Sequence, residues 1–142
     1  MNEVRSIVIE QKFSVSREML WNTITNPGKM RQWFFENIPD FKPEVGFKTR
    51  FTVKSESLDF IHLWTITEVI PLKKIKYNWR YEGYEGNSFV YFELTGHKEY
   101  TNLKITAEGI ESFPQNIPEF KPESCRAGWE FFINKLKDYL DK

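Results

Sequence analysis

Cysteine is almost absent: Cys125 is the only one in 142 residues, so no internal disulfide can close and no multi-thiolate metal site can be assembled. A reducing cytosol is the compartment this predicts. Histidine is nearly as scarce, and His62 and His97 stand too far apart to supply metal-ligand spacing. An excess of either charge is also missing. Twenty basic residues face twenty acidic ones, which denies the chain the strongly positive face that neutralises a phosphate backbone, and nucleic acid is not an expected partner. No run of about 18 apolar residues occurs, and the opening MNEVRSIVIE carries a charge at Glu3 and no apolar stretch of signal-peptide length. Neither a membrane span nor an export signal is expected. Gly83 and Gly86 lack both the motif and the following helix that a phosphate cradle needs, and no cofactor is expected.

Aromatic residues, by contrast, make up 17% of the chain, with 13 Phe, 6 Tyr and 5 Trp. They can fill a thick core or line a cavity. At this length the chain fits one domain, residues 1–142, able to bury roughly 70% of the surface of its unfolded form.

Along residues 4–13, Ile7, Ile9 and Phe13 alternate with Glu10 and Lys12, the period of a half-buried strand. Ser16 then offers a helix cap, Glu18 suits the first turn, and Leu20, Trp21 and Ile24 share a helical face as far as Asn26. Asn26-Pro27 caps a second short helix bearing Met30, Trp33 and Phe34. After Pro39 and Pro43 the chain reads as strand and turn. Gly46 opens a strand with Phe47, Phe51 and Val53 on one side. Asp59 to Ile70 forms the next, and in a third Ile75, Tyr77, Trp79 and Tyr81 alternate with Lys76, Asn78, Arg80 and Glu82. Val90, Phe92 and Leu94 continue the pattern to Gly96, and a last strand with Leu103, Ile105 and Ala107 inward is predicted to end near Glu111. Short turns between successive strands predict an antiparallel meander. Pro114, Pro118 and Pro122 then mark an unusually apolar loop with Phe113, Ile117 and Phe120. From Pro122, Cys125, Trp129, Phe132, Ile133, Leu136, Tyr139 and Leu140 form the stripe of an amphipathic helix. Only the apolar face of the sheet can bury that stripe, and a strongly curved sheet would leave space beneath it. The fold class is therefore α+β: a curved antiparallel sheet of six or seven strands around one long C-terminal helix, with two short helices after the first strand.

The segment Ser16-Arg17-Glu18-Met19-Leu20-Trp21, the stretch from Asn26-Pro27 to Trp33-Phe34, Gly46 before a strand, and the ending Gly128-Trp129-x-x-Phe132-Ile133-x-x-Leu136-x-x-Tyr139-Leu140 occur in an order that resembles the activator-of-heat-shock-ATPase-homologue family. That family lies within the helix-grip superfamily, which also holds the START steroid-transfer and pollen-allergen domains. The likeness covers nearly the whole chain. It departs at Gly46-Phe47, where many members carry paired glycines, and at Pro71-Leu72, where they carry a Pro-Pro turn. The resemblance implies an apolar cavity between sheet and helix, but the superfamily includes carriers, enzymes and chaperone-binding modules, so function must be read from the site.

The aromatic row Tyr77, Trp79 and Tyr81, facing Trp129, Phe132, Ile133 and Leu136, is the expected site of ligand contact, with Trp33, Phe51, Trp64 and Phe92 beside it. Ordinary core packing is the competing reading for each of these side chains. Burying about 300 Å² of apolar ligand surface at roughly 25 cal/mol per Å² yields about 7 kcal/mol before association costs, so micromolar or weaker affinity is expected. His62 alternates with Phe60, Trp64 and Ile66 and is placed to face inward. No serine or cysteine nucleophile in a recognisable motif accompanies it, and no catalytic residue is nominated. His97 falls in a turn, and Cys125 reads as a small buried hydrophobe. The leading expectation is a domain that binds an apolar or aromatic small molecule. Contact with a chaperone, implied by the resemblance, is a second, and an enzyme acting on an aromatic or polyketide-like compound is a third.

Overall fold

A computed structural model describes residues 6–55 and 58–141. Its elements run β1 (Ile7–Phe13), α1 (Arg17–Thr25), α2 (Pro27–Trp33), β2 (Lys48–Lys54), β3 (Asp59–Ile70), β4 (Lys74–Tyr81), β5 (Ser88–Gly96), β6 (Thr101–Glu108) and α3 (Pro122–Leu140), with short 3-10 turns at Ile110–Ser112 and Pro118–Phe120. The six described strands form one antiparallel sheet in the order β1-β6-β5-β4-β3-β2. It is the helix-grip arrangement, in which α3 lies against the inner face and buries Trp129, Ile133 and Leu136 there. The expected start of the first strand at residue 4 lies outside the described residues.

Local chemistry accounts for the corner between β1 and β2. Ser16 Oγ accepts from the Met19 amide at 3.1 Å, and Asn26 Oδ1 accepts from the Lys29 amide at 3.1 Å. Each side chain satisfies one of the donors a helix start leaves without a partner. The buried Trp33 indole N–H donates to the Thr23 carbonyl at 3.0 Å and ties α2 back to α1. Sheet pairing begins at Gly46, whose amide donates to the Ile66 carbonyl at 2.8 Å. A register shift between Ile66 and Glu68 marks a bulge in β3, a device that bends a strand and increases its twist.

The outward face mixes charged and polar residues with half-buried apolar ones such as Ile61, Leu63 and Phe89. Glu82 there pairs with Arg50 at 2.9 Å, an exposed pair of small energetic weight. The Ile70-Pro71-Leu72-Lys73 turn closes with a Lys73 amide to Ile70 carbonyl bond of 2.9 Å and places Leu72 at φ 67, where glycine is the usual occupant.

The last strand is shorter than the sequence predicts. β6 stops at Glu108 rather than near Glu111, because Gly109 adopts φ 84 and turns the chain into a 3-10 segment. A Cβ on Gly109 would stand 2.5 Å from the Asn87 carbonyl oxygen, so both the backbone angle and the close approach require glycine. Gly109→Ala is expected to lower stability by about 1–3 kcal/mol. Urea unfolding checks this, and an unchanged midpoint would contradict it.

Candidate functional site

The inner rows of the sheet decide where space remains. Cross-strand register sets Phe51 opposite His62 and His62 opposite Tyr81; in the next row Trp64 faces Trp79 and Trp79 faces Ser88; in the next, Ile66 faces Tyr77, Tyr77 faces Val90 and Val90 faces Ala107. The second and third rows therefore pass from large side chains on β3 and β4 to smaller ones on β5 and β6. Above Ser88, Val90 and Ala107 the helix presents Gly128 and Cys125. Where small residues on both layers coincide, the layers do not meet.

The result is a cavity of about 150 Å³. Its floor is Trp79, Tyr81, His62, Ser88, Val90 and Ala107, and its roof is Cys125, Gly128, Trp129 and Phe132 of α3. The chain after β6 supplies the end wall, through Ile110, Phe113, Glu119 and Phe120. Phe113 and Phe120 are buried with Phe60 in a second small cluster, which explains why the proline-punctuated loop is apolar. Phe35 closes the opposite end. The half-buried Phe35, Tyr81, Glu119, Cys125, Gly128 and Phe132 mark the side toward solvent.

Four of the residues named from sequence, Trp79, Tyr81, Trp129 and Phe132, line this cavity. Seven lie outside its lining: Trp33, Phe51, Trp64, Tyr77, Phe92, Ile133 and Leu136 are all buried in the main core. Trp64 packs among the rings of Phe51, Tyr77 and Trp79 at 4.8 to 5.0 Å, and its indole nitrogen has no hydrogen-bond partner among the described residues. Tyr77 stacks on Phe92 at 5.8 Å. Sequence reasoning did not nominate the small residues Ser88, Ala107 and Gly128. Their signal was present as inward strand or stripe positions occupied by side chains too small to reach the opposite layer.

Phe34 and Phe35, at the end of α2, were not nominated as site residues either. Phe34 stacks on Trp33 at 4.6 Å, meets Phe132 edge-on at 4.8 Å and lies 5.6 Å from both Trp64 and Trp129. Phe35 contacts Phe51, His62 and Phe132 at 5.3, 5.0 and 4.9 Å. The pair fills the space between sheet and helix on one side of Trp79 and confines the cavity to the other.

The polar groups in the lining are uncharged apart from Glu119, whose carboxylate accepts from the Ser55 hydroxyl. Ser88 Oγ donates to the Trp79 carbonyl at 2.7 Å. Trp79 Nε1 donates to the Tyr81 hydroxyl at 2.9 Å. His62 Nδ1 lies 3.2 Å from the Phe60 carbonyl, and a carbonyl can only accept, so the proton sits on Nδ1 and Nε2 is an acceptor. Burial lowers the His62 pKa to about 4, against a smaller opposing effect of the Phe60 bond, and the ring is neutral near pH 7. Burial also raises the Tyr81 hydroxyl well above its ordinary range and pushes the Cys125 thiol up to about 11, with the nearby Glu123 charge adding to the effect. Near neutral pH the site thus offers a thiol rather than a thiolate, a phenol rather than a phenolate, and a weakly basic imidazole. That chemistry suits holding a molecule by shape and neutral hydrogen bonds. His97 stacks on Tyr100 at 4.5 Å, away from the cavity. Among the described residues no helix is long and apolar enough to cross a membrane, and no group of three or more His, Cys, Asp or Glu side chains could hold a metal ion.

The His62 shift has a measurable sign. Its folded pKa, about 4, lies below the ordinary 6.5, so between those values the unfolded chain binds a proton that the folded chain refuses, and stability falls as pH falls. The contribution is at most about 1.4 kcal/mol per pH unit within that window. In urea titrations at several pH values, His62→Leu is expected to lose this part of the slope; equal slopes for the two proteins would contradict the burial account.

Comparison with known proteins bears on this geometry. A family described as Activator of Hsp90 ATPase homolog 1-like protein matches residues 14–141. Among solved structures, protein MLL2253 from Mesorhizobium loti is 29% identical, with a TM-score of 0.76 over 96% of this chain and 97% of its own. Protein CV1439 from Chromobacterium violaceum is 19% identical, with a TM-score of 0.81 over 96% and 97%. CalU16 from Micromonospora echinospora is 20% identical, with a TM-score of 0.65 over 96% of this chain and 76% of its own. The two likenesses below 25% speak to the fold alone. No curated protein matches the chain.

Proposed function

This chain belongs to the Activator of Hsp90 ATPase homolog 1-like family, and within that family we propose that it binds an apolar or aromatic small molecule in the cavity between the sheet and α3. The observation that carries this reading is the coincidence of Ser88, Val90 and Ala107 on the sheet with Gly128 on the helix, beneath walls of Trp79, Trp129 and Phe132. Retained space of this kind forgoes packing that a larger side chain at any of these positions would supply. Such a forfeit is understandable where the space is used. The chaperone-contact reading rests on the family description, while the cavity is a feature of this chain's own residues.

Toluene is a suitable probe, since about 150 Å³ accommodates one benzene-sized ring. Enclosing roughly 200 Å² of apolar ring surface at about 25 cal/mol per Å² gives about 5 kcal/mol before association costs, so a dissociation constant in the submillimolar range or weaker is expected. Saturable shifts of the Trp79 and Trp129 indole N–H resonances are expected on titration. Gly128→Leu should abolish them. A Cβ at Gly128 meets nothing within 4 Å, and replacing a helical glycine gains up to about 1 kcal/mol of helix propensity, so this variant should melt at or above the parent temperature while losing the ligand. Absence of any saturable shift in the parent protein, or an unchanged titration in Gly128→Leu, would overturn the reading.

A further inference from the structure

The cavity holds two polar groups whose hydrogen-bonding capacity the protein leaves half used. His62 Nδ1 is committed to the Phe60 carbonyl at 3.2 Å, and Nε2, an acceptor, has no partner among the described residues. The Tyr81 oxygen accepts from Trp79 Nε1 at 2.9 Å, and its own proton has no acceptor among them. The two residues are direct cross-strand partners with ring centroids 4.8 Å apart, edge to face, and both line the same space. One free acceptor and one free donor thus lie on neighbouring rings of the same lining, and a molecule that uses both gains hydrogen bonds the protein alone does not make.

Resting on the ligand-binding reading above, we propose that the occupant is a neutral single-ring phenol whose hydroxyl donates to His62 Nε2 and accepts from the Tyr81 hydroxyl. A phenolic oxygen is both donor and acceptor, so one atom closes both valences while its ring lies among Trp79, Val90 and Trp129. Volume sets the size: about 150 Å³ is filled by one ring. Charge sets the class. The lining contains no cation, and the Glu119 carboxylate stands in it, so a ring bearing a carboxylate would enter without a counter-ion and against a like charge. The neutrality of His62 near pH 7 agrees with an acceptor role. A bridging water could occupy the polar pair alone, but it would leave the rest of the enclosure empty.

The test compares phenol, toluene and benzoate by NMR titration against the parent protein, Tyr81→Phe and His62→Leu. The readout is the ratio of phenol to toluene affinity, and toluene binding serves in each variant as the check that the cavity is intact. Phenol is expected to bind the parent at least as tightly as toluene, although its hydroxyl is costlier to desolvate. The ratio is expected to fall about tenfold in either variant, with toluene still binding saturably. Benzoate should bind at least about tenfold more weakly than phenol. A ratio that does not move in either variant, or benzoate binding as tightly as phenol, overturns the phenol assignment while leaving the cavity as an apolar site. Failure of both toluene and phenol to bind the parent overturns the ligand-binding reading itself and the phenol assignment with it.

Discussion

The stacked ring of Phe34 sets what the rest of the molecule can do. It is buried where α2 ends, touches Trp33 on its own helix, Trp64 on the sheet and Trp129 and Phe132 on α3, and so joins three layers through one side chain. Ring pairs of this kind contribute about 0.5–1.5 kcal/mol each beyond the area they bury. Phe35 extends the same wedge to Phe51 and His62. One side of the groove beneath the long helix is occupied by the protein's own aromatics. What remains is a compartment of about 150 Å³ rather than a channel along the sheet. The size of the compartment is in this sense set by a pair of phenylalanines that five strands separate in the chain from the helix that roofs it.

Much of the architecture was legible in the residue pattern. The alternation of Tyr77, Trp79 and Tyr81 with Lys76, Asn78 and Arg80, the caps at Ser16 and Asn26, and the stripe from Cys125 to Leu140 each have one low-energy structural solution, and the structure adopts it. The end of β6 was less legible, because Gly109 acts through a left-handed backbone angle that alternation of side chains does not reveal. The site was legible only in part. Large aromatics draw attention in a sequence, yet a cavity is bounded as much by what is too small to fill it. Tyr77 and Phe92 share the strand faces of Trp79 and Val90, but they stack on one another in the solid core. Ser88 and Ala107, unremarkable in sequence, fall beneath Gly128 only once the register of six strands and the rotation of α3 are fixed. That coincidence is long-range, and no window of local sequence contains it.

Electrostatics points the same way as shape. A strand position between Phe60 and Trp64 forces His62 inward, where burial keeps it neutral, and the bond from Trp79 to Tyr81 orders the one hydroxyl nearest it. The compartment therefore combines apolar walls with a small, fixed and uncharged polar corner, the composition typical of sites that recognise a molecule by fit and orientation. Its charged group, Glu119, is held to Ser55 across the end wall. The same wall depends on Phe113 and Phe120, so the apolar loop after β6 packs on Phe60 and Tyr81 and also closes the space.

Xenon diffused into crystals under pressure tests directly whether this compartment exists and is available, since a largely apolar cavity of this size takes up the gas without any specific chemistry. The account predicts a xenon peak bounded by Trp79, Val90, Ala107 and Trp129. Crystals that take up xenon elsewhere but show no density between those four side chains would contradict it.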